Sequence, residues 1–349
     1  MGYNLQGSLH WEKEMKYKSV LVTRRGGLDS IQIADNELRP PIEGEARIRV
    51  LATPVCQDDI AIRIGNRPFL KKPPYVPGYS FVGIVEAIGE GVTSVKVGDR
   101  AAGLTQYNSH AEYIYWNANE LVPVPETLDP AEVVTLILNY LVAYQILHRV
   151  AKVKSGDKVL LIGSSGGVGT AFLQLGRLAG LKMYGLASPS KHHVLTEYGA
   201  TPIDYHTQNF VDVLHRAEPD GIDYVFNGMD EEYFKPGLAV LRRGGVLVSY
   251  GAPQSFAGFL RFLGKYITYN LLPNGKSIEG YGTHRLGVDL FKEDWTALFK
   301  LLKEVKIKPV IAGKYPLLEA VKAYELLEGG QVTGNLVLLA PELLGQENG

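Results

Sequence analysis

At 349 residues the chain is longer than one ordinary core sustains, and its length points to two domains of roughly 150 residues each. Hydrophobic residues at 46% and charged residues at 21% exclude a disordered chain, and a net charge of -1 argues against nucleic acid or an anionic membrane held by bulk electrostatics. Cys56 is the only cysteine, so one chain can form neither an internal disulfide nor a cysteine-built structural zinc site, and a reducing cytoplasm is the expected location.

Met1 to Lys16 is polar, carries Glu12 and Glu14, and lacks the apolar core of a signal peptide. From Val20 to about Val124 short strand patterns alternate with Gly and Pro: KSVLVTRR, EARIRVLATPV, VGIVEAIGEGV, KVGDRAAGL and HAEYIYW. Between Lys158 and Gly251 apolar strands alternate with helices: KVLLIG, a helix over Gly167 to Ala179, KMYGLAS, a helix over His192 to Tyr198, TPIDY, a helix over Val211 to Ala217, IDYVFNG and VLVSYG. Repeated βα units of this kind specify a parallel sheet covered by helices on both faces, an α/β doubly wound nucleotide fold. Beyond it, amphipathic helices are expected around Trp295 to Val305 and Leu317 to Leu327, with a last strand NLVLL that returns to the first unit. No run approaches the roughly 20 apolar residues of a membrane span. The patchily apolar 256–272 segment, interrupted by Arg261 and Lys265, reads as a loop and helix near an active-site mouth or subunit interface.

The strand KVLLIG runs directly into Gly163-Ser164-Ser165-Gly166-Gly167-Val168-Gly169 and then a helix without a charge until Arg177. Small residues there let the backbone approach a pyrophosphate, which the free N–H groups and positive dipole end of the helix stabilise. Ser165, Gly166, Gly167, Val168 and Gly169 are therefore cofactor-binding candidates, in a G-x-x-G-x-x-G variant of the dinucleotide fingerprint. An Asp or Glu about 20 residues further on would hold the ribose 2′-hydroxyl of NAD. Here the second strand ends in Leu186-Ala187-Ser188 and continues Pro189-Ser190-Lys191, with no acid. Ser188 and Lys191 offer a hydroxyl and a cation to a 2′-phosphate, and Tyr205 a phenol, so NADPH is the expected cofactor. A solvated surface lysine is the other reading of Lys191.

Six motifs in one order resemble the medium-chain dehydrogenase/reductase superfamily, in particular its zinc-free quinone oxidoreductase-like branch. They are PYVPGYSFVGIVEAIGEGV at 74–92, VKVGDRAAG at 95–103, HAEY at 110–113, LVAYQIL at 141–147, SGDKVLLIGSSGGVG at 155–169 and GATPIDY at 199–205. The resemblance implies a GroES-like catalytic domain from residues 1–140 and 282–349, with a Rossmann NADPH-binding domain, 141–281, inserted between its parts. It also implies a homodimer. Zinc members would hold their metal with a Cys, a His and a third Cys, Asp or Glu; the matching positions here are Cys56, Tyr79 and Leu138, which supply no convergent donor set. The structural-zinc lobe is missing too, since GDRAAGL leads straight to HAEY.

The resemblance implies hydride transfer from NADPH to an apolar quinone or α,β-unsaturated carbonyl, an acceptor that needs no Lewis acid. An enoyl thioester or polyketide intermediate is the alternative substrate, and a non-catalytic NADPH-binding protein the alternative function. Tyr79, where the family places a metal-binding histidine, is either the donor to a developing oxyanion or a packing residue. Asp58 is either a proton relay or a capping residue beside Asp59, which the family places in a structural turn. Cys56, Ile60, Ile62, Phe69 and the 256–272 segment would rim the substrate pocket, Cys56 and Ile60 replacing an Asn and a nearby Tyr common in the branch. By the same resemblance Asn227 and Gly228 border the cofactor ribose, Tyr250 and Gly251 the nicotinamide, and Asn335 the nicotinamide side from the catalytic domain. Tyr281 lies near the pocket or packs a loop.

Overall fold

The structure, a computed structural model, describes residues 15–66, 71–251, 255–283 and 288–345. In chain order the first part comprises β1 (Lys16–Val22), β2 (Ile31–Glu37), β3 (Glu45–Val55), α1 (Gln57–Arg63), β4 (Ser80–Ile88), β5 (Arg100–Leu104), β6 (Tyr113–Asn117) and β7 (Val122–Pro123). A continuous helix, α2 (Pro130–Val150), follows, with π turns over Leu136–Tyr140 and Ile146–Val150. The nucleotide-fold segment is β8 (Lys158–Ile162), α3 (Gly167–Leu178), β9 (Lys182–Ala187), α4 (His192–Glu197), β10 (Thr201–Asp204), α5 (Phe210–Ala217), β11 (Ile222–Asn227), α6 (Phe234–Val240), β12 (Leu241–Ser249), α7 (Phe256–Leu271) and β13 (Ser277–Gly280). The chain ends with α8 (Val288–Lys303), β14 (Ile311–Pro316), α9 (Ala320–Glu328) and β15 (Asn335–Leu339), then a short helical turn.

Strands β8 to β13 form one parallel six-stranded sheet in the order β10-β9-β8-β11-β12-β13. Its order reverses beside β8, which places a crevice at the carboxyl ends of the strands. Alternation along β8 sends Val159 and Leu161 to one face, with α2, α3 and α8, and Leu160 and Ile162 to the other, with α5 and α6. The catalytic sheet runs β14-β15-β3-β4-β5-β7, and β15 pairs antiparallel with β3, Leu336 opposite Val55. The carboxyl-terminal strand thus returns to the first unit.

Three strands lack a clear signal in sequence. IQIADNE of β2 is mostly exposed and pairs only with β1; β13 has four residues; and β14 is a half-buried parallel strand containing Gly313.

Helix α2 is the piece that ties the sheets together. Its buried side chains share one core cluster with Ala52, Tyr79, Val82 and Val337 from the catalytic sheet and Val159, Phe226 and Val248 from the nucleotide sheet. The 140/141 boundary expected from sequence falls inside this helix. By length and composition α2 is also apolar enough to cross a membrane, which corrects the expectation that no such run exists. Of its most apolar stretch, 83% is buried inside the fold, so that apolarity is satisfied by the two sheets.

One buried charge stabilises the nucleotide sheet from beneath. Glu218 accepts hydrogen bonds from Lys158 Nζ at 2.6 Å, Lys182 Nζ at 2.5 Å and Tyr184 Oη at 2.6 Å. Burial works to raise its pKa, but these three partners outweigh it and hold the carboxyl down at about 2, below its ordinary 4.5. A depressed folded-state value stabilises the fold above the unfolded value and is lost as pH falls from about 4.5 to about 2. Glu218→Gln is therefore expected to cost about 2 kcal/mol at pH 7 and almost nothing near pH 2, read from thermal melts at both pH values.

Candidate active site and cofactor groove

The glycine loop closes the carboxyl end of β8 and opens α3. Gly166, the residue preceding the helix, is exposed, so the amino end of a 12-residue helix is open to a ligand. Two glycines are dictated by close approach: a Cβ on Gly169 would overlap the Gly163 carbonyl oxygen and the Ser164 backbone, and one on Gly167 would overlap the Asn139 amide. Ser164 does not face the groove, because its Oγ donates to the Leu186 carbonyl at 2.7 Å and ties the loop to β9. The arrangement fits a dinucleotide pyrophosphate.

Over the start of α3 sits a pair of amides. Asn139 Nδ2 donates to Asn335 Oδ1 at 2.6 Å, and Asn335 Nδ2 donates to the Val310 carbonyl at 2.9 Å. A Cβ on Gly167 would lie 2.7 Å from Asn335 Oδ1, which places the first residue of β15 directly on the cofactor loop. Asn139 has no motif of its own and was missed in the sequence. Its signal is structural, since it lies in the first π turn of α2, a distortion that often marks functional helices.

At the ends of β11 and β12 the assignments divide. Asn227 is fully buried and closes its own turn, Nδ2 donating to the Asp230 carbonyl and Oδ1 accepting from Met229 N–H. Its side chain thereby shapes the Gly228 backbone. Tyr250 lies over Gly228, where a Cβ would stand 2.6 Å from its hydroxyl, and its ring packs on Phe172. Gly251 follows, its N–H bonded to the Asn227 carbonyl at 3.2 Å. On the far side of β8, Ser188 Oγ lies 3.3 Å from Ser190 Oγ, and the exposed Tyr205 ring packs at a tilt against His206. Lys191 donates to the Gly330 and Val332 carbonyls at 2.8 and 2.9 Å.

The second half of the site is built by α1 and the turn before β4. Asp59 accepts from Cys56 N–H and Cys56 Sγ through one oxygen, and from Gly78 N–H at 3.0 Å through the other. It thereby ties the start of α1 to the residue preceding Tyr79, the structural part expected of it. Tyr79 is buried, with the Gln106 side chain as hydrogen-bond partner, and its carbonyl accepts from Thr105 and Gln106 N–H. Gln106, also missed in sequence, takes a left-handed conformation with φ 69°. Burial first, then the nearby Asp58 and Cys56, push the Tyr79 hydroxyl well above the ordinary tyrosine value, so it remains a proton-bearing donor. Burial and the Asp59 and Asp58 charges likewise push up the Cys56 thiol, which leaves it a poor nucleophile. Asp58 is half-buried on the first turn of α1.

One pocket expectation is corrected. Ile60 and Ile62 do not rim the groove: Ile60 packs with Val20, Leu317 and Tyr324 inside the catalytic domain, and Ile62 with Val22 and Tyr75. A helix of seven residues cannot show the same side to its own core and to a pocket. Tyr281, just past β13, turns its hydroxyl away to donate to Gln145 Oε1 at 2.7 Å; Gln145 Nε2 donates to Asp294 Oδ2 at 2.7 Å, and Arg149 pairs with Asp294. Its phenol is engaged in this part-buried network. Phe69 lies outside the described residues.

Zinc does not fit here. Cys56, Tyr79 and Leu138 offer one thiol, one phenol and one alkyl group, and among the described residues no three His, Cys, Asp or Glu side chains converge as a metal site.

Comparison with known proteins agrees with this architecture. Residues 42–126 match the alcohol dehydrogenase GroES-like domain, and residues 198–338 match a family described as zinc-binding dehydrogenase. The synaptic vesicle membrane protein VAT-1 homolog of Rattus norvegicus is 30% identical over 338 residues, covering 92% of this chain and 84% of that protein. Quinone oxidoreductase of the same organism is 29% identical over 337 residues, covering 92% of this chain and 97% of that one. The structure of a mycobacterial protein complexed with NADPH superposes with a TM-score of 0.80 at 26% identity, over 93% of this chain and 99% of that one. The chain belongs to the medium-chain dehydrogenase/reductase superfamily, in its quinone oxidoreductase-like branch.

Proposed function

We propose that this chain is an NADPH-dependent oxidoreductase that reduces an apolar quinone or α,β-unsaturated carbonyl without a metal. The observation that carries the reading is a phosphate cradle at Ser165–Gly169 whose far end offers Ser188 and Lys191 where an NAD enzyme would present an acid. The solved mycobacterial neighbour with NADPH bound supports the same cofactor.

When bound, the nicotinamide supplies the hydride. The chain's own residues do the rest. The α3 N-terminus and the loop backbone hold the pyrophosphate, and the Asn139–Asn335 amide pair borders the ring side of the groove. Tyr79, buried and protonated, donates a hydrogen bond to the acceptor oxygen as it gains negative charge, in apolar surroundings where such a bond is worth more than in water. Asp58, half-buried on the first turn of α1, returns a proton from solvent in this reading. Cys56 and Tyr250 pack against the same core cluster as Tyr79 and form apolar wall.

The expected quaternary state is a homodimer. Strand β13 is the open edge of the nucleotide sheet, and α7 beside it exposes Phe256, Leu260, Leu263, Ile267 and Leu271 along one side. The deciding experiment measures NADPH consumption by chelator-treated protein, first sized by light scattering. An ortho-quinone, a para-quinone, an enone and an enoyl thioester are offered separately, with NADH as control. Chelator-resistant turnover by a dimer with the quinone or enone is the expected result, and preference for the thioester would move the assignment to enoyl reduction. NADPH binding without turnover of any acceptor would overturn the reading in favour of a binding protein.

A further inference from the structure

The segment from Gly329 to Asn335 leaves α9 and runs past Lys191 and the glycine loop before entering β15. It is fastened at three points. The Gly330 and Val332 carbonyls accept from Lys191 Nζ at 2.8 and 2.9 Å; Gly334 N–H donates to the Ser165 carbonyl at 2.9 Å; and Asn335 holds Asn139. Gly330 and Gly334 both adopt left-handed conformations, with φ 66° and 83°. A short strap therefore connects the expected 2′-phosphate end of the groove to the residue beside the glycine loop.

An ammonium group has three N–H donors, and the two carbonyls take two of them. Lys191 is only half-buried, so a ligand that reaches the third needs to break neither existing bond. We propose that the strap is itself part of the 2′-phosphate site: the Gly330 and Val332 carbonyls hold the Lys191 ammonium between the catalytic domain and the phosphate, so that NADPH, unlike NADH, pins the strap and with it Asn335. The inference rests on the reading of Lys191 as a 2′-phosphate ligand. Partial burial lowers the lysine's pKa, a cost that an anion at the third donor would offset. Selectivity for the phosphorylated cofactor then includes a contribution from the opposite domain, which a lysine on a bare surface helix would not have.

Amide hydrogen exchange of the 329–335 segment in the full-length protein tests this, with saturating NADPH against NADH, and adenosine 2′,5′-bisphosphate against adenosine 5′-monophosphate to separate the 2′-phosphate from the nicotinamide. The phosphorylated member of each pair is expected to slow exchange by about tenfold more than its partner, the order supplied by one charge-assisted hydrogen bond. Lys191→Met should abolish the difference, and Lys191→Arg, which retains several donors, should keep most of it. Equal protection by both members, in a protein whose NADPH-to-NADH affinity ratio still falls in Lys191→Met, would overturn the strap while leaving Lys191 as a phosphate ligand. Faster exchange with the phosphorylated ligands would also overturn it, since the phosphate would then be drawing Lys191 off the carbonyls. An affinity ratio unchanged by Lys191→Met would remove both the underlying reading and the inference.

Discussion

Tyr79→Phe is expected to lower kcat by about 100-fold while leaving the NADPH dissociation constant and the melting temperature nearly unchanged. The substitution keeps the ring, and with it the packing against Val82 and Leu104, and deletes only the hydroxyl. A fall in kcat without a fall in stability therefore isolates the donor role, whereas unchanged kcat would leave Tyr79 as filler for the space a metal would take. The pH profile provides an independent check. Because burial and the neighbouring Asp58 and Cys56 keep the Tyr79 hydroxyl protonated well past the ordinary tyrosine range, kcat should show no tyrosine limb as pH rises to about 10.

The second large effect belongs to the cofactor loop. Gly169→Ala is expected to weaken NADPH binding by about 100-fold, roughly 3 kcal/mol, measured by fluorescence titration. The new methyl would meet the Gly163 and Ser164 backbone rather than the far end of a flexible side chain, so the loop itself must move away from the α3 N-terminus. Binding within twofold of the parent would mean that this turn does not carry the pyrophosphate. Gly167→Ala would meet two side-chain amides and is expected to be milder, since Asn139 and Asn335 can re-pack.

The nucleotide sheet was legible in sequence because parallel strands buried on both faces read as unbroken apolar runs: KVLLI and IDYVFN are β8 and β11 almost to the residue. The strands that were not legible derive their identity from partners distant in sequence. Nothing local in β14 distinguishes it from a loop; its register with β15 does. The same division runs through the site. The glycine loop is a local motif whose small residues have a local reason. Asn139 and Gln106 become site residues only when α2 passes over α3 and when the turn after β5 doubles back on Tyr79, and no spacing rule reaches across those distances. Ile60 was misplaced because residue type gave its apolar character but not its direction.

The long helix α2 has a consequence for how this protein can be divided. One end of it completes the interior of the catalytic half and the other that of the nucleotide half, so the first junction between them is helical throughout. A fragment beginning at residue 141 would carry half a helix, its apolar side stripped of the partners that cover it, and would aggregate rather than fold. The helix belongs to the interior of both halves, and any shuffling of the nucleotide module between proteins must exchange it whole.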